Sequence, residues 1–139
     1  MARILLDTHI IVFLLVSELD NISKDIKLII NDFNNQLCVS SVSVLEILQL
    51  MRIKKFQAKK YNSVTALLDA IEKDFYIKII PFSKEHVGAL STLNIPPDHN
   101  DPFDHAIIAQ AMAEKMTLVS SDKKFKSYAA QVRLAFNRR

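Results

Sequence analysis

The residues best suited to do chemistry in this chain are acids in apolar surroundings. Asp7 follows the apolar run ILL, and Asp122 follows a second apolar run in the segment TLVSSD. Asp104 lies in the segment DPFDHAIIAQA, and Glu46 stands inside the apolar segment VSVLEILQL. A buried carboxylate costs free energy unless a cation binds it. The favoured cation is a divalent metal with oxygen ligands.

Three of the acids also have a structural interpretation as helix N-caps. Asp7, Asp101 and Asp122 could each be a helix N-cap, a position that favours Asp. Asp101 fits this role best, because Pro102 follows it as the first residue of a helix. Asp104 then falls in the first turn, where the helix dipole also favours an acid.

Asp104 and Glu46 differ in how well a structural role accounts for them. The helix that carries Asp104 is apolar nearly all round, which predicts burial, and Lys115 is three turns away. Pairing of Asp104 with a distant Lys or Arg is an open alternative. Glu46 could instead face solvent beside Gln49. Taken together, four acids without nearby basic partners predict a site for Mg²⁺ or Mn²⁺, which prefer oxygen ligands.

Composition and length exclude several classes of protein. A chain of 139 residues predicts a single domain over residues 1–139, with the last few residues flexible. The net charge of +3 permits a polyanionic partner without requiring one. Gly88 is the only glycine, which excludes glycine-rich phosphate loops, and Cys38 is the only cysteine, which excludes an internal disulfide. No apolar stretch approaches the roughly 20 residues of a membrane span, so we expect a cytoplasmic protein.

Apolar periodicity predicts strands that alternate with helices, and therefore a parallel sheet covered on both faces. Ligands of such sheets bind beyond the carboxyl ends of the strands, where Asp7 and Asp122 are expected. Ser41 or Ser43 is expected to cap the helix that contains Glu46. The predicted strands are 2–6, 37–40, 76–80, 117–120 and 131–136, and the predicted helices are 9–16, 22–33, a helix ending near 53, 63–74, 83–93 and 102–116.

Four segments together resemble the PIN domain, and more narrowly the VapC-type toxin ribonucleases of bacterial toxin–antitoxin pairs. They are LLDTHIIVFLL, SVSVLEI, DPFDHAIIAQA and TLVSSDKKF, and the resemblance covers about residues 3–125. The most specific part is DPFD followed by AIIAQA and then an apolar strand that ends in Asp. The resemblance implies a PIN-like three-layer α/β/α fold with a central parallel sheet of about four to five strands. It also implies Mg²⁺- or Mn²⁺-dependent hydrolysis of RNA, a homodimer and an antitoxin partner.

The resemblance also implies a role for individual residues. The family's acids line one pocket and hold the metal, and they are candidates both for catalysis and for metal binding. Relatives commonly carry a basic residue beside DPFD, where this chain has Asn100 and His105. The matching acids here are Asp7, Glu46, Asp104 and Asp122, with Asp101 as a secondary metal candidate and with Ser120 and Thr8 as accessory residues.

Contacts with RNA are expected from the rim of the site, because an acidic pocket repels phosphate. Two lysine-rich segments and one histidine are available for this purpose. Each lysine cluster could equally be an ordinary solvated surface. The candidates for RNA contact are His105, Lys54, Lys55, Lys123 and Lys124.

Other functions remain compatible with acids at strand ends. One is a non-catalytic PIN-like module that only binds a protein. Another is a different metal-dependent phosphohydrolase. A receiver domain would need an adjacent acidic pair early in the chain, and none is seen near Asp7. A haloacid-dehalogenase-type phosphatase would need a second Asp two residues after Asp7, where His9 stands.

Overall fold

The computed structural model describes residues 2–54 and 60–138, and over these residues a five-stranded sheet forms the centre of the molecule. All neighbouring strands are parallel, and their order across the sheet is β3-β2-β1-β4-β5. The predicted α/β class with a parallel sheet is therefore confirmed. The strands are β1 (Ala2–Leu6), β2 (Asn35–Ser40), β3 (Lys78–Ile80), β4 (Thr117–Ser120) and β5 (Arg133–Phe136).

Helices connect the strands and cover the sheet. None of the described helices is long and apolar enough to cross a membrane. Short 3₁₀ helices span Leu19–Asn21 and Lys123–Tyr128, and a π-helical turn spans Ala70–Asp74. The α-helices are α1 (Thr8–Leu15), α2 (Lys24–Asn31), α3 (Ser41–Arg52), α4 (Val64–Asp69), α5 (Lys84–Leu90) and α6 (Pro102–Glu114).

Two hydrophobic clusters lie on opposite faces of the sheet. Successive side chains of a strand point to opposite faces, so Ile4 and Leu6 pack into one cluster while Leu5 packs into the other. The first cluster contains apolar residues of α1 to α4. The second contains residues of α6 and of the 3₁₀ helix Lys123–Tyr128. The predicted three-layer α/β/α arrangement is confirmed.

The order of the strands creates a crevice at the carboxyl edge of the sheet. From β1 the chain adds β2 and β3 on one side, and then returns to add β4 and β5 on the other. The helix after β1 and the 3₁₀ helix after β4 pack into opposite clusters, so the two connections diverge. Parallel sheets bind ligands at such a switch point, which here lies between β1 and β4.

Several predicted boundaries differ from the observed ones for local reasons. The strand predicted to begin at residue 76 begins at Lys78, because Tyr76 has a φ of 56°, which a strand residue does not adopt. Helix α2 is shorter than predicted, because Ser23 before it and Asp32 after it both have extended backbone. The helix predicted over 63–74 changes to a π-helical turn at Ala70. Ser40 caps α3, rather than Ser41 or Ser43.

Lys54, one of the predicted RNA contacts, does not lie within a helix. Lys54 follows the end of α3 in a turn, with a φ of 59°. This left-handed conformation ends a helix rather than continuing it. The other predicted RNA-contacting residue of this segment, Lys55, lies outside the described residues.

The role of the first cluster can be tested with Leu67, which is fully buried in α4 at a distance from the acids in sequence. We expect Leu67→Ala to lower the free energy of unfolding by about 2–5 kcal/mol, because it removes buried methyl groups and leaves a cavity. Leu28→Ala is the matched control, because Leu28 is 74% exposed, and it should change stability by less than about 0.5 kcal/mol. Equal effects of the two changes in urea titrations would contradict the described core.

Candidate active site

Asp7 lies at the carboxyl end of the central strand and is almost completely buried. Its backbone N–H donates to Val119 O at 2.9 Å, which extends the ladder between β1 and β4. Its Oδ1 accepts from the Thr8 backbone N–H at 2.7 Å, and its Oδ2 accepts from the Ser120 hydroxyl at 2.8 Å. Burial raises the pKa of Asp7 to about 6, although these two hydrogen bonds oppose the shift.

Ser120 links the two strand ends that carry acids. It is the last residue of β4 and is fully buried. Its hydroxyl donates to Asp7, and its Oγ accepts from the Asp122 backbone N–H at 3.1 Å. The side chain therefore holds the segment leading to Asp122 against the end of β1. The structure thus brings this predicted accessory residue together with two of the predicted acids.

Glu46 reaches the same region from α3. The Thr8 hydroxyl donates to Glu46 Oε1 at 2.6 Å, which joins the first turn of α1 to the second turn of α3. Gln49 instead accepts from the Arg52 side chain at 3.0 Å. Glu46 is half-buried and is turned toward Asp7, so the solvent-facing alternative does not describe it.

Asp104 is a buried acid whose charge is repelled by the other predicted acids. It lies in the first turn of α6 and is 9% exposed. Burial, followed by repulsion from Asp7, Asp101, Asp122 and Glu46, raises its pKa to about 8. Since all four other carboxylates contribute to this repulsion, the fold gathers the predicted acids around one region at the carboxyl edge.

Asp104 has a basic partner that the sequence did not reveal. Nε2 of His99 lies 3.0 Å from Asp104 Oδ2, and Nδ1 of His99 lies 2.7 Å from the Tyr128 hydroxyl. The expectation that Asp104 lacks a nearby basic partner is therefore wrong, and within residues 2–54 and 60–138 no Lys or Arg forms an ion pair with it. The only sequence signal was a histidine in the loop five residues before a buried acid.

The predicted RNA contact His105 is engaged within the same loop. Its Nε2 lies 2.9 Å from the backbone oxygen of His99, and the two rings meet edge to face with centroids 4.9 Å apart. This nitrogen holds the loop, so His105 is a weaker candidate for phosphate than the exposed lysines.

Capping and site formation turn out to be compatible roles for the same acids. Asp7 caps α1, Asp101 caps α6 and Asp122 caps the following 3₁₀ helix. Asp101 Oδ1 accepts from the backbone N–H of Phe103 at 2.9 Å, and Asp122 Oδ1 accepts from that of Lys124 at 2.9 Å. A cap engages one carboxylate oxygen. A carboxylate has two oxygens and about four acceptor positions, so capping does not prevent ligation.

The donor set suits a hard divalent cation. All five acids offer oxygen, and the repulsion at Asp104 is the effect that such an ion would relieve. Within residues 2–54 and 60–138, no three His, Cys, Asp or Glu side chains stand close enough together to enclose an ion by themselves. Mg²⁺ usually retains several waters and takes one or two carboxylates directly. The arrangement therefore fits an ion held partly through water.

Two exposed lysines border the acids. Lys123 and Lys124 directly follow Asp122 and begin the 3₁₀ helix. Lys126 on the same helix lies over the Phe136 ring, with Nζ 4.3 Å from the ring centroid. Lys54 is also exposed, in the turn that follows the end of α3. The lysines after Asp122 are thus the ones closest in sequence to the site.

Comparison with known proteins identifies related sequences and structures. The PIN domain family model matches residues 4–131. No curated protein sequence matches the chain.

Among solved structures, similar chains come from bacterial complexes. VapBC2 from Rickettsia felis, bound to a DNA fragment from their promoter, has a TM-score of 0.67 and 24% identity, covering 97% of this chain and 98% of that one. VapBC-1 from nontypeable Haemophilus influenzae has a TM-score of 0.69 and 16% identity, with coverage of 96% and 97%. FitAcB from Neisseria gonorrhoeae has a TM-score of 0.57 and 25% identity, with coverage of 96% of both chains.

The raised pKa of Asp104 predicts how stability depends on pH without metal. Between the unfolded pKa near 3.8 and the folded pKa of about 8, the folded state binds a proton that the unfolded state has lost. Unfolding therefore becomes easier as the pH rises through this range. We expect the Tm in EDTA to be several degrees lower at pH 8 than at pH 5.

The contribution of Asp104 can be isolated by substitution. Asp104→Asn removes the titrating group and should raise the Tm at pH 8 relative to wild type, with little difference at pH 4. Asp69→Asn is the control, because Asp69 is an exposed carboxyl that pairs with Lys73 on the surface. If Asp104→Asn and Asp69→Asn give the same pH profile in differential scanning calorimetry, Asp104 does not carry the expected charge penalty.

Proposed function

Because the chain belongs to the PIN domain family, as its sequence predicted, we propose that it is a metal-dependent endoribonuclease and the toxin of a toxin–antitoxin pair. The family is one of nucleases, which accounts for the hydrolase class. The RNA substrate, the ion and the biological role are the parts that we propose beyond the family.

The observation that carries the proposal is the set of hydrogen bonds at the carboxyl edge of the sheet, where Ser120 joins Asp7 to Asp122 and Thr8 joins Asp7 to Glu46. A carboxyl whose pKa rises to about 8 because of burial and of four neighbouring acids is poorly suited to a purely structural role. Carboxyl groups with strongly raised pKa values are typical of functional sites, where a bound cation or a reacting group offsets their charge. The position at the switch point of the sheet supports the same interpretation.

The residues divide into ligands and groups that orient them. Asp7 and Asp104 are the main proposed ligands, with Glu46 and Asp122 completing the shell directly or through waters and with Asp101 as a secondary ligand. When bound, Mg²⁺ or Mn²⁺ supplies positive charge to the phosphoryl oxygens and makes a water more acidic.

The protein's own contribution to the reaction is to orient water and to accept its proton. Asp7 is held through both carboxylate oxygens, by Thr8 and Ser120, and Glu46 is held through Oε1 by Thr8, which limits the rotation of both carboxylates. One of the acids accepts the proton of the attacking water. The new P–O bond forms as the bond to the leaving ribose oxygen breaks, that oxygen takes a proton from solvent water, and the RNA is divided into two fragments.

The proposed RNA path runs beside the acids over Lys123 and Lys124. Both lysines are exposed and adjoin Asp122, so a phosphate bound to them lies next to the proposed ion. Lys54 is a further candidate from the end of α3. A cationic rim is needed because the carboxylates repel a polyanion that carries no bound metal.

The proposed setting is a cytoplasmic complex with an antitoxin protein. The similar structures from Rickettsia felis and Haemophilus influenzae are VapBC assemblies, and similarity extends over nearly the whole of both chains. We extend this to a homodimer in which residues 1–139 form a single PIN domain.

The roles of Asp7 and Asp104 are tested by Asp→Asn substitutions. Asp7→Asn and Asp104→Asn should each lower Mg²⁺-dependent cleavage of tRNA or rRNA by at least about 100-fold, because they remove an anionic ligand while keeping the shape of the side chain. The circular dichroism spectrum should not change. Asp69→Asn is the control and should cleave like wild type.

Full activity of the Asp7→Asn/Asp104→Asn double variant would refute the assignment of these residues. Growth arrest on expression should also depend on both acids. Arrest that persists in the double variant, with no cleavage by the wild-type protein in Mg²⁺ or Mn²⁺, would identify the chain as a non-catalytic binding module.

The lysine rim makes a separate prediction about salt dependence. Lys123→Gln/Lys124→Gln should weaken RNA binding and reduce the slope of log K against log salt by about 0.7 for each lost phosphate contact. The control is Lys73→Gln/Lys115→Gln, which changes net charge equally at residues that precede β3 and β4, on the opposite edge of the sheet. Identical slopes for the two double variants in fluorescence anisotropy titrations would place the RNA elsewhere.

A further inference from the structure

His99 is a buried residue in a loop that has its own anchors. It is 2% exposed, although the loop before α6 is mostly exposed. At the start of the loop, Asn94 and Gln131 are joined by two hydrogen bonds, of 2.9 and 3.0 Å. At its end, the backbone oxygen of His99 is held by His105, and the His99 backbone N–H donates to Pro96 O at 3.1 Å. The main chain that carries the imidazole is therefore held at both ends of the loop.

Both ring nitrogens of His99 have a partner. Nδ1 faces the Tyr128 hydroxyl at 2.7 Å, and Nε2 faces Asp104 Oδ2 at 3.0 Å. A carboxylate that binds a metal is ionised and can only accept a hydrogen bond. In that state Nε2–H donates to Asp104, so Nδ1 of the neutral ring accepts from Tyr128. Tyr128 therefore donates a hydrogen bond to His99, and His99 donates one to Asp104.

Tyr128 anchors this series of hydrogen bonds. It is fully buried and ends the 3₁₀ helix that begins after Asp122. Its backbone oxygen accepts from the N–H groups of Gln131 and Val132 at 2.8 and 3.0 Å. The hydroxyl is therefore held by the same short element that starts at another of the acids. A shift of this helix would move Asp122 and, through His99, the carboxylate of Asp104.

The hydrogen bond between His99 and Asp104 places the two carboxylate oxygens of Asp104 in different environments. Oδ2 faces His99, whereas Oδ1 has no hydrogen-bond partner among the described residues, so Oδ1 is the oxygen more open to an ion. Burial and four neighbouring acids raise the pKa of Asp104, and the hydrogen bond at Oδ2 restrains the rotation of its carboxylate. Hydrogen-bonded partners of metal ligands commonly fix ligand orientation, and their loss typically lowers metal affinity 10- to 100-fold.

We propose that His99, held by Tyr128, is a positioning residue that presents Asp104 Oδ1 to the divalent cation. This inference rests on the proposed metal-dependent function and assigns to it two residues outside the acidic set. Neither residue contacts the ion, so both act through Asp104.

The test measures Mn²⁺ binding by isothermal titration calorimetry, without RNA. His99→Leu should weaken binding about 10- to 100-fold. His99→Gln should stay within about threefold of wild type, since its amide nitrogen can replace Nε2–H as the donor. Tyr128→Phe should give an intermediate loss, because it frees the ring without removing the donor.

A matched control separates positioning from general destabilisation. His86 is also buried, at 4% exposure, and its Nε2 lies 3.0 Å from Glu114 Oε2 away from the acids. His86→Leu should lower the Tm of the metal-free protein but leave Mn²⁺ affinity unchanged. In an Asp104→Asn background, His99→Leu should no longer change Mn²⁺ affinity, because the two residues act as one unit.

The outcomes distinguish this inference from the proposed function. If wild type binds Mn²⁺ and His99→Leu binds it equally well, the positioning role is refuted while the metal site stands. If His99→Leu and His86→Leu weaken binding equally, His99 has only a structural role. If wild type binds no Mn²⁺ at millimolar concentration, the metal site itself is refuted, and the positioning role with it.

Discussion

The structure depends on one electrostatic constraint, which is the gathering of five carboxylates at a partly buried edge of the sheet. Among the described residues, Lys or Arg side chains form ion pairs with Glu114 and Asp69, and neither pair lies at this edge. The acids are instead stabilised by dipolar donors, namely backbone N–H groups, the hydroxyls of Ser120 and Thr8, and the imidazole of His99. These donors offset part of the free-energy cost of burying the carboxylates. The rest of that cost is reflected in Asp104, where burial and neighbouring acids raise the pKa to about 8.

The topology of the sheet explains why acids so distant in sequence meet. Parallel strands bring their carboxyl ends to one edge, and β1 lies between β2 and β4. Asp7 follows β1 directly, Asp122 follows β4 after one intervening residue, and α3 brings Glu46 from the end of β2. Helix α6 then adds Asp104 from the opposite face. Each acid thus lies in a helix or next to the end of a strand or helix. Asp7, Asp101 and Asp122 also cap the helices that follow them, which fixes where those helices begin.

Much of this arrangement could be predicted from local patterns, and the remainder required tertiary contacts. Apolar runs that end in an acid indicated where Asp7 and Asp122 lie, and the apolar surroundings of Asp104 indicated its burial. No local pattern indicated that His99 would turn inward, because its partner Tyr128 is 29 residues away. The bond between Thr8 and Glu46 spans 38 residues and depends on how α1 packs against α3. The positive φ of Tyr76 likewise departs from the strand preference of its aromatic side chain.

The central claim is that the carboxylates form a single site for one divalent ion or a close pair of ions. The most direct measurement is a crystal structure of the protein grown with Mn²⁺, with anomalous scattering data to locate the metal. We expect a Mn²⁺ peak within about 2.5 Å of carboxylate oxygens of Asp7 and Asp104. Asp104 Oδ2 should remain bonded to His99. A peak located away from these acids, or well-ordered acids with only water between them at saturating Mn²⁺, would contradict it.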